Sequence, residues 1–148
     1  MRLSLLGVPT MPTVEQKDVE YAYDIYEDRC PTRMVLERLA DKWALLVLAR
    51  LEQTHEPVRF NALKRGIKGI TQKMLTQTLR KLERDGLISR KVFNTVPVTV
   101  EYALTPLGDT LTETVATLAH WAEKNIDAVL TAQAAWDARQ QTASGVEA

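Results

Sequence analysis

Residues 59–104 read RFNALKRGIKGITQKMLTQTLRKLERDGLISRKVFNTVPVTVEYAL, and the order of patterns in this stretch decides the fold. A short amphipathic segment leads into a turn, a second amphipathic segment follows, and two β-prone runs close the stretch. The second segment, Gln72 to about Arg84, places Leu75, Leu79 and Leu82 at spacings of four and three, which is one face of a helix. The other face carries Gln72, Lys73, Thr76, Gln77, Arg80, Lys81 and Arg84. These side chains donate and accept hydrogen bonds at the reach that base edges and phosphates require. Thr71 is placed to cap the helix through its hydroxyl, with Gly69 marking the turn before it. Asp85-Gly86 ends it, because glycine takes the left-handed conformation without steric cost.

Leu87–Phe93 and Val98–Leu104 are rich in β-branched and aromatic residues and read as the strands of a hairpin. Pro97 has no N–H for a ladder, so it belongs in the connection or on an edge. A helix-turn-helix with a basic hairpin attached is the outline of a winged helix. The expected class is therefore α+β, mainly α: a winged helix-turn-helix flanked by N- and C-terminal dimerisation helices.

The net charge of zero conceals a strong segregation. Between Val58 and Lys91 ten basic residues (Arg59, Lys64, Arg65, Lys68, Lys73, Arg80, Lys81, Arg84, Arg90, Lys91) face only Glu83 and Asp85, a balance of +8. Residues 1–57 carry −3 and residues 101–148 carry −5. A basic middle between acidic ends suits a polyanion at one surface. A merely solvated helix pair would mix signs at i, i+4 spacing, and this one hardly does.

Working outward, residues 1–14 are expected to be a disordered tail, since Pro9, Pro12 and small residues show no periodicity. The winged-helix domain is expected over 15–130, entered by an acidic, aromatic arm (Val14 to Asp28, with Tyr21, Tyr23 and Tyr26) in helical or extended form. Those tyrosines read as packing residues first and as a pocket lining second. Cys30-Pro31 opens a helix whose apolar positions are Met34, Val35, Leu36 and Leu39. Asp41 starts the core helix, which holds Trp43, Leu45, Leu46, Val47 and Leu48. Val58-Arg59 is a candidate short strand beside the wing, and Phe60, Leu63 and Ile67 face inward from the first helix of the helix-turn-helix. Thr105-Pro106 starts a last helix expected to run to about Leu130. Its stripe of Leu107, Leu111, Val115, Leu118, Ala122 and Val129, widened by Trp121 and Ile126, calls for a partner. That partner is expected to be a second subunit rather than its own domain. Residues 131–148 are expected to be flexible or partly helical.

At 148 residues the chain can bury a core without staples, and its single cysteine builds no disulfide framework. No apolar run is long enough to cross a membrane, and MRLSLLGVPTMPT is too short for a secretory signal. The location expected is cytoplasmic, with either Met1 or Met11 as the start. An enzyme would need an acid–base pair, a nucleophile with its base, a phosphate loop or a metal cluster. His55 and His120 stand apart with no cysteine or second histidine at ligand spacing, and the glycines form no phosphate-binding fingerprint. No enzyme activity, no metal and no cofactor are expected.

The chain resembles the HxlR-type winged-helix transcriptional regulators of bacteria. The residues that carry the likeness are Cys30-Pro31, Leu39-Ala40-Asp41-Lys42-Trp43, Arg59–Leu63, Gly69–Leu75, Leu79–Leu87 and Val96–Gly108, in order across roughly residues 30–125. The resemblance implies a dimeric DNA-binding regulator, often one that responds to thiol-reactive compounds, with the cysteine before proline as the place where oxidants or electrophiles act. On its own residues Cys30 sits at a helix N-terminus between Arg29 and Arg33, which favours a reactive thiol, while Glu27 and Asp28 oppose one. A buried, inert cysteine is the competing reading.

The residue-level expectation follows. Gln72, Lys73, Thr76 and Gln77 reach base edges in a major groove, and Arg80 and Lys81 grip phosphates. Arg90 and Lys91 alternate sides of the wing, so one of them meets a flanking phosphate or the minor groove. Arg59 and Lys64 add backbone contacts. Double-stranded DNA and a second copy of the chain are the expected partners, with a thiol-reactive or other small-molecule effector besides. The alternatives are a winged helix controlled by a non-covalent ligand and a winged-helix module for protein assembly.

Overall fold

A computed structural model describes residues 23–146, and the chain divides into two compact units at Leu36/Glu37. In the described part of the first unit, Asp24 to Pro31 form a succession of turns. The Asp24 carboxylate accepts from the Tyr26 N–H at 2.9 Å, and Arg33 donates to the carbonyls of Ile25 and Tyr26 at 2.9 and 2.6 Å. Tyr23 and Tyr26 are exposed; Tyr21, the rest of the arm before Tyr23 and the tail at 1–14 lie outside the described residues. Helix α1 (Thr32–Leu39) starts one residue beyond Pro31 and buries none of its residues, so Met34, Val35 and Leu36 stand open to solvent.

The second unit is built on α2 (Lys42–Thr54). Asp41 caps it by accepting from the Trp43 N–H at 2.9 Å. Ala44, Val47, Leu48 and Leu51 fall at i, i+3, i+4 and i+7 and are fully buried, whereas Leu46, expected in the core, points outward at 43% exposure. Strand β1 (Val58–Arg59) and helix α3 (Phe60–Gly66) follow, then α4 (Gln72–Arg84). Strands β2 (Ile88–Phe93) and β3 (Thr99–Leu104) make the hairpin, and β1 adds to the far side of β3, giving an antiparallel sheet of order β1-β3-β2. The core joins Leu63 of α3, Leu75, Leu79 and Leu82 of α4, Ile88 and Tyr102 of the sheet, and the buried face of α2.

Helix α5 runs unbroken over Pro106–Val146, well past the end expected near Leu130. Alanine supplies much of the added length and costs the helix no side-chain entropy. Its start is locked to the α4–β2 junction. Thr105 caps it, accepting from the Gly108 N–H at 3.0 Å, while the Thr105 N–H donates to the Leu87 carbonyl at 3.1 Å and its hydroxyl donates to the Gly86 carbonyl. Gly108 has no side chain to hold that carbonyl away. The six-residue stripe expected to meet a partner is split by the packing. Val115 is buried in the chain's own core and Leu111 lies half-buried against it, because the first turns of α5 pack on α2. Leu107, Leu118, Trp121 and Ala122 remain exposed, as do Ile126, Leu130 and Trp136 beyond them.

Candidate functional site

Helix α4 is set by its two ends and one face. Thr71 accepts from the Met74 N–H at 3.1 Å, so a free donor of the first turn is satisfied by the residue expected to do it. Gly86, at φ 75°, lets the chain reverse directly into β2, with the Leu87 N–H returning to the Leu82 carbonyl at 3.0 Å. Leu75, Thr78, Leu79 and Leu82 are buried, and the buried threonine completes a face that the leucine spacing alone outlines.

With each residue turned about 100° from the last, Lys73, Gln77, Arg80 and Arg84 point directly away from the buried face. All four are exposed. Gln72 and Glu83 border that face on one side with Thr76, which is half-buried, and Lys81 borders it on the other. The expected seven-residue polar face is thus graded, and Thr76 sits at its edge rather than at its centre.

The wing supplies the next wall. Register pairs Arg90 with Tyr102 and Lys91 with Glu101, and side chains alternate across a strand. Arg90 and Tyr102 therefore share the face that turns toward α4, where they line a cleft with Phe60, Thr76, Arg80 and Glu83. Lys91 lies on the outer face, its ammonium 5.0 Å from the Phe93 ring centroid. Arg59 is on the outer face as well, paired in register with Glu101 and 3.8 Å from its carboxylate. Arg59, expected to add a backbone contact, stays largely exposed beside Glu101. Lys64 is exposed on α3, beside Arg65.

The second acid of the basic segment is also engaged. Arg38 reaches Asp85 at the end of α4, Nε to Oδ2 2.6 Å, with both side chains mostly buried. Nothing in sequence pattern links residues 38 and 85. With Asp85 matched from outside the segment, Glu83 alone opposes the cations on the exposed side of α4. Among the described residues Lys73, Arg80, Lys81, Arg84 and Arg90 form no ion pair. Such a surface binds extended anions, and its cost in mutual repulsion is relieved when one arrives.

Cys30 is half-buried at the entrance to α1, its Sγ 2.9 Å from the Thr32 hydroxyl. Arg33, expected beside the thiol, is committed to the Ile25 and Tyr26 carbonyls. Among the described residues no three His, Cys, Asp or Glu side chains cluster closely enough to hold a metal. No described helix is long and apolar enough to cross a membrane.

The sequence profile of the HxlR-like helix-turn-helix family matches residues 38–130. The HTH-type transcriptional regulator YtfH of Escherichia coli (strain K12), itself uncharacterized, is 44% identical over 108 residues, covering 72% of this chain and 83% of YtfH. Among solved structures, ytfH of Salmonella typhimurium superposes with a TM-score of 0.69 at 39% identity, over 75% of this chain and 97% of that one. The redox regulator HypR in its oxidized form superposes with a TM-score of 0.58 at 38% identity, over 65% of this chain and 97% of HypR.

Proposed function

The chain belongs to the HxlR-like helix-turn-helix family and is a DNA-binding transcriptional regulator; from that premise we propose that it acts as a homodimeric repressor on an inverted-repeat operator. The observation that carries the reading is the exposed, unpaired cationic face of α4 with Arg90 of the wing beside it. In this reading α4 enters a major groove. Gln72, Lys73, Thr76 and Gln77, in its N-terminal half, reach base edges, and Arg80 and Lys81 take phosphates. Lys64 adds a contact from α3, while Arg59 and Lys91 join from the outer face of the sheet. The protein occupies a promoter and excludes polymerase.

The dimer rests on the exposed apolar residues Leu118, Trp121, Ile126, Leu130 and Trp136, which lie beyond the part of α5 that packs on α2. A two-fold axis through that pairing sets the two recognition helices one DNA turn apart, roughly 34 Å. Cys30 is the chain's only thiol, and HypR, a related protein, is a redox regulator. We therefore place thiol sensing at Cys30. A soluble, cytoplasmic location goes with this function.

The test is binding of the purified protein to DNA from upstream of its own gene, across a salt series, with and without a thiol oxidant. Expected are a steep salt dependence and a complex that scrambled competitor DNA cannot remove. Oxidation is expected to release the complex, reductant to restore it, and Cys30→Ser to bind normally but ignore the oxidant. Arg80→Ala is expected to weaken all sequences alike, and Gln77→Ala to relax preference at particular base pairs. Weak binding that any DNA displaces refutes the regulator, and oxidant sensitivity that survives in Cys30→Ser refutes the sensor.

A further inference from the structure

The cleft between α4 and the wing contains groups that the rest of the fold leaves unused. It has a volume of about 230 Å³ and is lined by Phe60, Thr76, Arg80, Glu83, Arg90 and Tyr102. That is room for one phosphate group with a few waters, since a water takes about 30 Å³. Two arginines line it from different elements, Arg80 from α4 and Arg90 from β2. Neither is engaged in a hydrogen bond or ion pair among the described residues, although Glu83 lines the same cleft.

Tyr102 adds a third donor. Its residue is 8% exposed, so the ring is packed in the core. Its hydroxyl has no hydrogen-bond partner among the described residues, yet no buried side-chain oxygen or nitrogen is left unsatisfied. The hydroxyl is therefore not fully enclosed, and Tyr102 lines the cleft. The Tyr102 ring is thus fixed in the wall of a cleft that two arginines also line. Two forked cations and a fixed hydroxyl match the oxygens of a single phosphodiester.

We propose that this cleft seats one phosphate of the DNA backbone, held jointly by Arg80, Arg90 and the Tyr102 hydroxyl, so that recognition helix and wing are registered on the duplex through one shared group. The proposal rests on the DNA-binding reading above and adds to it that the helix and wing contacts are a single site. Independent contacts would let the wing adjust without affecting the helix. A shared phosphate fixes the angle between them on DNA.

The distinction is measurable in a double-substitution cycle on the full-length protein, using upstream DNA that the wild type binds. Arg80→Ala and Arg90→Ala are each expected to weaken binding about 10-fold, the loss of a charge-assisted hydrogen bond. The double variant is expected to fall little further, whereas independent contacts would multiply to about 100-fold. The salt slope of the double variant is expected to shift by about 0.9, one phosphate, and not by about 1.8. Tyr102→Phe keeps the ring and is expected to lose several-fold in affinity with an unchanged melting temperature. Lys73→Ala, outside the cleft, is expected to combine multiplicatively with Arg90→Ala. If Arg80 and Arg90 multiply as well, or Tyr102→Phe binds as the wild type does, the shared seat is overturned while DNA recognition stands. If the wild type shows no sequence-selective, salt-dependent binding, both are overturned.

Discussion

Gly108 offers the sharpest test of how the helix-turn-helix is joined to α5. A Cβ at this position would lie 2.0 Å from the Leu87 carbonyl oxygen and 2.9 Å from its carbon. Ordinary contact begins near 3.4 Å, so Gly108→Ala must part the two backbones by more than an ångström. No side chain can swing aside to relieve this, because the clash is with main chain. Overpacking of this kind costs about 1–3 kcal/mol. The Thr105 N–H bond to Leu87 and the Thr105 hydroxyl bond to Gly86 are stretched with it, at about 1 kcal/mol each. Replacing a helical glycine returns up to about 1 kcal/mol. The net expectation is a loss of about 3 kcal/mol, or roughly 10 °C in melting temperature for a chain of this size. Gly145 in the same helix is the control, since nothing lies within 4 Å of its added Cβ. Gly145→Ala is expected to be neutral or slightly stabilising. Far-UV circular dichroism melts at one fixed protein concentration compare the three proteins. Gly108→Ala within about 0.5 kcal/mol of wild type would refute the close approach and the junction built on it.

Further outcomes follow from individual contacts. Thr71→Ala removes the cap on α4 and is expected to cost about 1 kcal/mol, with Thr71→Ser recovering most of it in urea titrations. Arg38→Ala and Asp85→Ala are expected to show a coupling of about 1 kcal/mol in a double-mutant cycle; additive effects would mean that the pair contributes nothing. Leu118→Glu is expected to leave a folded monomer by light scattering, whereas Val115→Glu, which buries a charge in the subunit core, is expected to unfold the chain. A Leu118→Glu protein that remains dimeric would move the interface elsewhere.

The central stretch is legible because local chemistry determines it. The Thr71 hydroxyl, the Leu75–Leu79–Leu82 spacing and the Asp85-Gly86 exit each specify one end or face of α4, and the helix occupies Gln72–Arg84 as they require. The hairpin strands and the pairing of Val58-Arg59 with the wing follow equally from composition and order. Periodicity on α5, by contrast, identifies a face without saying what covers it. Leu111 and Val115 obey the same repeat as Leu118 and Ala122, yet the first pair meets α2 and the second faces solvent. Strand alternation likewise says that Arg90 and Lys91 point apart, but only the placement of α4 says that Arg90 is the one turned toward it. Glu101 lying beside Arg59, and Arg38 crossing to Asp85, depend on distances between elements that no local pattern encodes.

The 41 residues of α5 make a rod about 60 Å long. Its anchored end is pinned through Thr105 to Gly86 and Leu87, just past the end of α4, and its first turns pack on α2. A tilt of roughly 2° there sweeps the far end through roughly 2 Å at the helical rise of 1.5 Å per residue. A small reorientation at this junction is therefore a large displacement at the tip, the end of the rod farthest from α4.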